Sequence, residues 1–240
     1  MLRPNLMVIM AGGQGLRLRP HTNLCPKPLL TVNGAPILEH IVRRAKKCGF
    51  SRFVISLGYL GHMIQEHFGD GSSWNVEISY ITEEKPLGTA GALGLLNLVP
   101  ADPFIVINGD ILTGIDYGAM LDQHLKNGAI ATMAVREYVT QIPFGVVVSR
   151  DHYFEYVVEK PVSKNYINAG IYVIEPGMLY WLGAGGYCDM PELFTRSRQA
   201  GQNVMVYPLN ESWADLGTPA DIGMSIKPGY PIWHDAEVGT

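Results

Sequence analysis

Short apolar runs alternate with amphipathic stretches through the first half of the chain. NLMVIM (5–10) has no polar face and reads as a buried strand. ILEHIVRRAKKC (37–48) places Ile37, Leu38, Ile41, Val42 and Ala45 at helical spacing, with Pro36 just before it and Gly49 just after. The pattern then predicts a strand at RFVISL (52–57), a helix at GHMIQEHF (61–68), a strand at VEISYI (76–81), a helix from TAGALGLLNL (89–98) and a strand at FIVING (104–109). Such alternation requires crossover connections, so it implies a mostly parallel sheet covered on both faces.

From residue 130 the pattern changes. IATMAVRE (130–137), FGVVVS (144–149), YFEYVVEK (153–160) and AGIYVIE (169–175) follow one another with few helices. This half is expected to be antiparallel or mixed and to extend the same sheet. A helix at MPELFTRSRQAG (190–201) and a strand at VMVYPL (204–209) close the domain. The expected class is therefore α/β: a Rossmann-like mixed, mainly parallel sheet with helices on both faces. One domain is expected over 1–226, divided into halves 1–129 and 130–226. Residues 227–240, with Pro228, Gly229 and Pro231, read as a C-terminal tail.

Composition narrows the picture. A chain of 240 residues, 47% hydrophobic and 17% charged, suits one large globular domain and not a disordered one. A formal net charge of -4 argues against nucleic acid as the main partner. Cys25, Cys48 and Cys188 are odd in number and widely spaced, which suggests neither a disulfide framework nor zinc. The start is too short and too soon glycine-rich for a signal peptide, and no apolar stretch has the length of a membrane span. No membrane partner and a cytoplasmic location are expected.

The first candidate chemistry is MAGGQGLRLRP (10–20). A strand running into Gly12, Gly13, Gln14 and Gly15, then Arg17, brings backbone amides together at the carboxyl edge of the sheet, where anions bind. A dinucleotide fingerprint would run straight into a helix, and a P-loop would carry Gly-Lys-Ser/Thr. A plain structural turn is the third reading. Downstream, CPKPLLTVNGAPILEHIV holds Lys27 between two prolines, a rigid point charge suited to a phosphate. Together, G-G-x-G-x-R-L-R-P-x-T, P-K-P and the PILEHI helix resemble the sugar-1-phosphate nucleotidyltransferases. Members of that family join a nucleoside triphosphate to a sugar 1-phosphate and release pyrophosphate.

The resemblance implies a GT-A-like nucleotidyltransferase fold, with a nucleotide-binding first half and a sugar-phosphate-binding second half. It also implies roles for individual residues. Ala11, Gly12, Gly13 and Gly15 would wrap the triphosphate, Arg17 would hold the β/γ phosphates and Lys27 the α phosphate. Leu16 stands where the family has threonine. In EEKPLGTAGAL (83–93), Glu83, Gly88 and Thr89 would meet the base; the residues alone also fit a strand-to-helix turn with Thr89 as N-cap. FIVINGD (104–110) ends in Gly109 and Asp110, and WADLGTP (213–219) carries Asp215, which alone reads equally as a loop cap. By the resemblance the two acids would hold Mg²⁺. Arg17, Lys27, Asp110 and Asp215 form the implied catalytic set.

On the sugar side the resemblance implicates Gly145, Glu159, Lys160, Asn168 and Gly170; EKP alone reads as a salt-bridged surface turn. A sugar 1-phosphate is already an anion and needs no general base, so His21, His40, His62, His67, His124, His152 and His234 are expected to be non-catalytic. GTAGAL, VREY (135–138), PFGVVV (143–148) and YCDMPELF (187–194) resemble guanylyltransferase domains of nonulosonate-type surface-glycan pathways, which use glucosamine 1-phosphate. There the domain can follow a pair of CBS domains. The implied partners are thus a nucleoside triphosphate, GTP favoured, and a sugar 1-phosphate, with a homo-oligomer or an attached CBS-type domain also allowed. Mannose or heptose 1-phosphate guanylylation and cytidylyl or uridylyl transfer stay open. So do a catalytically weak nucleotide-sensing homologue, suggested by Leu16, and a dinucleotide-dependent oxidoreductase.

Overall fold

The computed structural model describes residues 4–96, 100–182, 186–218, 221 and 223. The chain opens with β1 (Leu6–Met10), a tight hairpin of β2 (Thr31–Val32) and β3 (Ala35–Pro36), and α1 (Ile37–Lys47). Asn33 and Gly34 both take positive φ in that hairpin, 49° and 83°, as a two-residue Asn-Gly turn requires. Next come β4 (Arg52–Leu57), α2 (Gly61–Phe68), β5 (Glu77–Thr82), α3 (Gly88–Gly91), β6 (Phe104–Asn108), β7 (Ile111–Thr113) and α4 (Tyr117–Asn127). The second half holds β8 (Ala131–Gln141), β9 (Gly145–Arg150), β10 (Tyr153–Glu159), β11 (Val162–Ile174), α5 (Met190–Gln199), β12 (Val204–Pro208) and β13 (Trp213–Asp215).

Seven strands form one sheet in the order β12-β8-β11-β6-β1-β4-β5. All its pairings are parallel except those of β11, which runs against both of its neighbours. Strand β1 lies near the middle, and its unbroken apolar run is explained by burial on both sides. Met7 and Ile9 enter one core with Ile37, Leu38 and Ile41 of α1, Phe68 of α2 and Met120 of α4. Val8 points into the other, with Ala90 of α3 and Met190, Leu193 and Phe194 of α5. The period of two along a strand thus divides one sequence between two helix layers. The mixed α/β architecture with helices on both faces is as expected, and no described helix is long and apolar enough to cross a membrane.

Two expectations need correction, and one element was unassigned. The helix expected over 89–98 is a four-residue α3 continued by a 3₁₀ turn at Ala92–Leu95, and 97–98 lie outside the described residues. Gly88, Gly91 and Gly94 account for its brevity, since glycine is the weakest helix former after proline. Strands β9 and β10 pair only with each other and do not extend the main sheet. Helix α4 had no assignment from the sequence, although both its ends are signalled. Asp116 accepts a 3.1 Å bond from the Ala119 amide, a cap worth about 1 kcal/mol, and Gly128 ends the helix in the left-handed region. The proposed tail, 227–240, lies outside the described residues.

Beyond Val135 on β8 and before Ala169 on β11, the two strands leave the covered sheet and pair only with each other. With the β9–β10 hairpin they make an arm whose residues 137–166 are mostly exposed, Phe144 at 73% and Tyr153 at 78%. The register of β11 on β8 shifts between Asn168 and Tyr172, where the arm joins the core.

Candidate active site

The loop after β1 is fixed from three sides. The Ala11 amide donates to Ser56 O at 3.1 Å, and the Gly109 amide donates to Met10 O at 2.9 Å, so the ends of β1, β4 and β6 stay level. A side chain on Gly12 would collide with the Glu83 carboxylate, and one on Gly58 would collide with the Gly12 carbonyl. Gly15 has φ +61°, its carbonyl accepts bonds from the Leu18 amide and the buried Thr22 hydroxyl (both 2.9 Å), and a Cβ there would stand 2.9 Å from Thr22 Cγ2. These glycines are therefore required by the local packing. The loop forms one wall of a cleft of about 690 Å³, also lined by Lys27, Glu83, Gly88, Thr89, Asn108, Gly109 and Asp110. Leu16 is 57% exposed beside it.

The charged residues gather at one end. Pro26 and Pro28 frame Lys27, and the amides of Leu29 and Leu30 donate to Pro26 O and Lys27 O (2.9 and 3.0 Å), closing a short turn. The mostly buried Lys27 ammonium donates to Asp110 Oδ2. Asp215 ends β13, which pairs antiparallel with β7, and the Leu216 amide donates to Asp110 O at 3.0 Å, so the two acids are neighbours. Burial, and then the Asp110 charge, raise the Asp215 carboxyl above its ordinary range, against the pull of Lys27 and Arg17. A Cβ on Gly217 would lie 3.1 Å from Asp215 Oδ1 and 3.2 Å from an Arg17 guanidinium nitrogen, so Gly217 leaves space between them. Arg17, Lys27, Asp110 and Asp215 are thus brought together. Among the described residues, no group of three or more His, Cys, Asp or Glu is placed to hold a metal ion. Two carboxylates are the donor set, which suits Mg²⁺ held by one or two acids plus phosphate oxygens better than a protein cage.

At the other end, the Glu83 carboxylate accepts from Ser56 Oγ and from the Leu87 amide at 3.1 Å, which holds the turn into α3. Gly88 has φ +79°, and a Cβ would stand 2.6 Å from Cys188 O. Thr89 is not the N-cap of α3; Leu87 occupies that position with no side-chain bond. Instead the Thr89 amide and hydroxyl donate to Asp189 Oδ1 (3.0 and 3.3 Å), while the Met190 amide donates to Thr89 Oγ1 at 2.8 Å. The first turns of α3 and α5 therefore cap one another. Their interaction lowers the Asp189 pKa, chiefly through the Thr89 amide.

The five sugar-side residues are placed differently, and none lines this cleft. Gly145 and Glu159 face each other across β9–β10, and Lys160 follows at φ +45°; all three are exposed. The Asn168 amide donates to Tyr172 Oη at 2.8 Å and accepts from the Gly170 amide at 3.0 Å, so it holds the shifted register of β11. Gly170 is buried with φ +72°, where a Cβ would be 2.8 Å from Asn108 Nδ2.

Sequence reasoning missed Ser56, Gly58, Asn108, Tyr187, Asp189 and Gly217. Gly58 ending a strand and Asp189 preceding Met-Pro at a helix start were the available signals. Asn108 Oδ1 is buried without a hydrogen-bond partner among the described residues.

Comparison with known proteins places this arrangement. A mannose-1-phosphate guanylyltransferase of Mycobacterium tuberculosis is 32% identical over 222 residues, 89% of this chain and 61% of its own length. A UTP--glucose-1-phosphate uridylyltransferase of Synechocystis is 29% identical over 241 residues, 92% of this chain and 62% of its own length. The chain thus spans less than two thirds of either relative. The crystal structure of HddC from Yersinia pseudotuberculosis complexed with GMP-PN superposes with a TM-score of 0.72 at 25% identity, covering 93% of this chain and 98% of that one. The profile of the Nucleotidyl transferase family matches residues 6–225, and the chain belongs to that family.

Proposed function

We propose that the protein transfers a nucleotidyl group, by preference guanylyl from GTP, to a sugar 1-phosphate, giving a nucleotide sugar and pyrophosphate. The observation that carries this reading is the convergence of Arg17, Lys27, Asp110 and Asp215 at the end of a cleft walled by the glycine loop. The task is to bring two polyanions into line and offset their charge, which needs positioning and fixed cations and no protein base. In this reading Arg17 and Lys27 carry the triphosphate, and the loop amides of Gly12 to Gly15 complete its cradle. Glu83, Gly88 and Thr89 set the base turn. Lys160 and Glu159, on the arm, meet the phosphate and hydroxyls of the sugar, with Asn168 and Gly170 shaping the place where the arm joins the core.

Asp110 and Asp215 suit Mg²⁺ chemically: each is a hard oxygen donor, and a cation held there would offset both the burial and the Asp110 charge that raise Asp215. When bound, Mg²⁺ would neutralise phosphate charge and align the reacting groups.

The guanylyl preference rests on the mannose-1-phosphate guanylyltransferase relative and on the neighbour complexed with GMP-PN. The uridylyl reading rests on the Synechocystis relative. Pyrophosphate release with Mg²⁺ decides between them, with GTP, CTP, UTP, ATP and dTTP crossed against hexose, hexosamine and heptose 1-phosphates. Turnover with GTP is the expected outcome, and turnover with UTP alone would replace the guanylyl reading. Tight nucleotide binding with no turnover anywhere would favour a nucleotide-sensing role, with Leu16→Thr as the first reversion.

A further inference from the structure

Asp110 follows β6 and Glu83 follows β5, three strand spacings away along the sheet, or about 14 Å. A nucleoside triphosphate with its phosphates on Arg17 and Lys27 therefore has its base at the α3 end of the cleft. Two residues from a distant part of the chain line that end, Tyr187 and Asp189. Tyr187 is 61% exposed, yet its hydroxyl is tied to Asp189 Oδ2 at 2.8 Å. The other oxygen of Asp189 holds Thr89. The turn into α3 is thus gripped from two sides, by Glu83 on the Leu87 amide and by Asp189 on the Thr89 amide. The Gly88 amide between them has no protein partner among the described residues.

The contacts around this turn leave little freedom. Cys188 O accepts from the amides of Ala90 and Gly91 (2.9 and 3.0 Å), and the Cys188 amide donates to Leu87 O at 2.9 Å. Gly88 and Gly91 lack side chains where Cys188 O and Gly186 O approach, at 2.6 and 2.8 Å from a Cβ. The segment before α5 is thereby locked to the base turn through the Cys188 backbone and Asp189 Oδ1, while Asp189 Oδ2 holds Tyr187 within the segment itself. A cap on a surface helix needs only one of these bonds; a tethered, exposed aromatic facing the cleft is the part that capping does not explain.

We infer that Tyr187 is a base-contacting residue, presenting its ring to the nucleobase, and that Asp189 is the positioning residue holding that ring and the Gly88–Thr89 turn in register. This rests on the nucleotidyltransferase reading above. Every base has a π-face, so the contact supplies affinity for any nucleotide, while the unpartnered Gly88 amide is left to discriminate among bases. Tyr187 is drawn toward Asp189 as a donor, and the neighbouring carboxylate accordingly raises its phenol pKa.

The test compares two probes by calorimetry: GTP, and inorganic tripolyphosphate, which has the phosphates without a base. Tyr187→Ala should weaken GTP about tenfold or more and leave tripolyphosphate unchanged. Tyr187→Phe should lose less, because the ring remains. Asp189→Ala should lower the GTP-to-tripolyphosphate ratio as Tyr187→Ala does, and the double variant should be no worse than the weaker single one, since both act through one contact. Equal GTP affinity in wild type and Tyr187→Ala would overturn the inference. So would an Asp189→Ala protein whose melting temperature falls with the affinity ratio intact, which is what a purely structural cap would give. Wild type that binds tripolyphosphate and no nucleotide would sink the nucleotidyltransferase reading itself, a result distinct from either.

Discussion

Around Asp110 nearly every backbone position is boxed in; around Lys160 almost none is. The first region lies where four parallel strands end together, and Gly12, Gly58 and Gly109 are dictated there by a carboxylate and carbonyls that would touch any side chain. The second is an antiparallel arm with solvent on its strands and large apolar side chains left uncovered. The difference follows from pairing. Parallel strands need helices as crossovers, and those helices bury both faces, whereas β8 to β11 are joined by short turns and bring no cover with them. The proposed phosphate chemistry, where an ångström matters, is thereby assigned to the rigid half. On the proposed function, recognition of a variable sugar would fall to the open one.

The sharpest test of the contrast is Asp110→Asn, which should cut turnover at least about a hundredfold while the melting temperature stays near wild type, read by pyrophosphate release and thermal denaturation. Preserved turnover would break the assignment of chemistry to the rigid end. Next in size, Gly58→Ala should press on the Gly12 carbonyl, destabilise the fold by about 2 kcal/mol and weaken nucleotide binding, although residue 58 is remote in sequence from the loop. Denaturant unfolding and calorimetry would show both. Lys160→Ala, on the arm, should raise the KM for sugar 1-phosphate about tenfold and leave nucleotide affinity alone; a nucleotide effect would mean that the halves are not separate.

A separate effect, on stability alone, concerns the root of the second half. His124 of α4 is fully buried, with Nδ1 2.8 Å from the Thr132 hydroxyl and Nε2 3.4 Å from Glu175. Burial pushes its pKa from 6.5 down to about 4. The unfolded chain thus takes up a proton near pH 6.5 that the folded one refuses until about pH 4, so stability is full above pH 6.5 and falls as the solution is acidified. Between pH 7 and 4.5 the loss should be on the order of 2 kcal/mol, and His124→Gln should flatten that part of the denaturation profile.

The grouping of the glycine loop with Lys27 was legible in the sequence because its parts are local. Gly12 to Arg17 and Lys27 lie within a short stretch, and their residue types name the chemistry. Asp215 needed the resemblance, since only the β13–β7 pairing brings it to Asp110. Gly58 and Asp189 were not legible, because each answers to a contact that exists only after folding: a carbonyl of the loop in one case, the first turn of another helix in the other. Thr89 shows the same limit, its hydroxyl serving a helix a hundred residues away. Within the arm the β9–β10 hairpin was read as strands, whereas 138–141 of β8 and 162–168 of β11 were not, and alternation along a strand says nothing about which sheet it joins.

Strand β11 belongs to both regions: its last residues are core, and its first half is arm. The change occurs at Asn168 to Gly170, where the altered register and a left-handed glycine meet Asn108 beside the catalytic strand end. Such a joint lets the two sides diverge at different speeds. Substitutions, insertions and length changes in the arm disturb little buried structure, while the same changes near Gly12 or Asp110 meet close packing at once. On the proposed function, a lineage built on this chain could change the sugars it accepts many times over and keep a single way of handling the triphosphate.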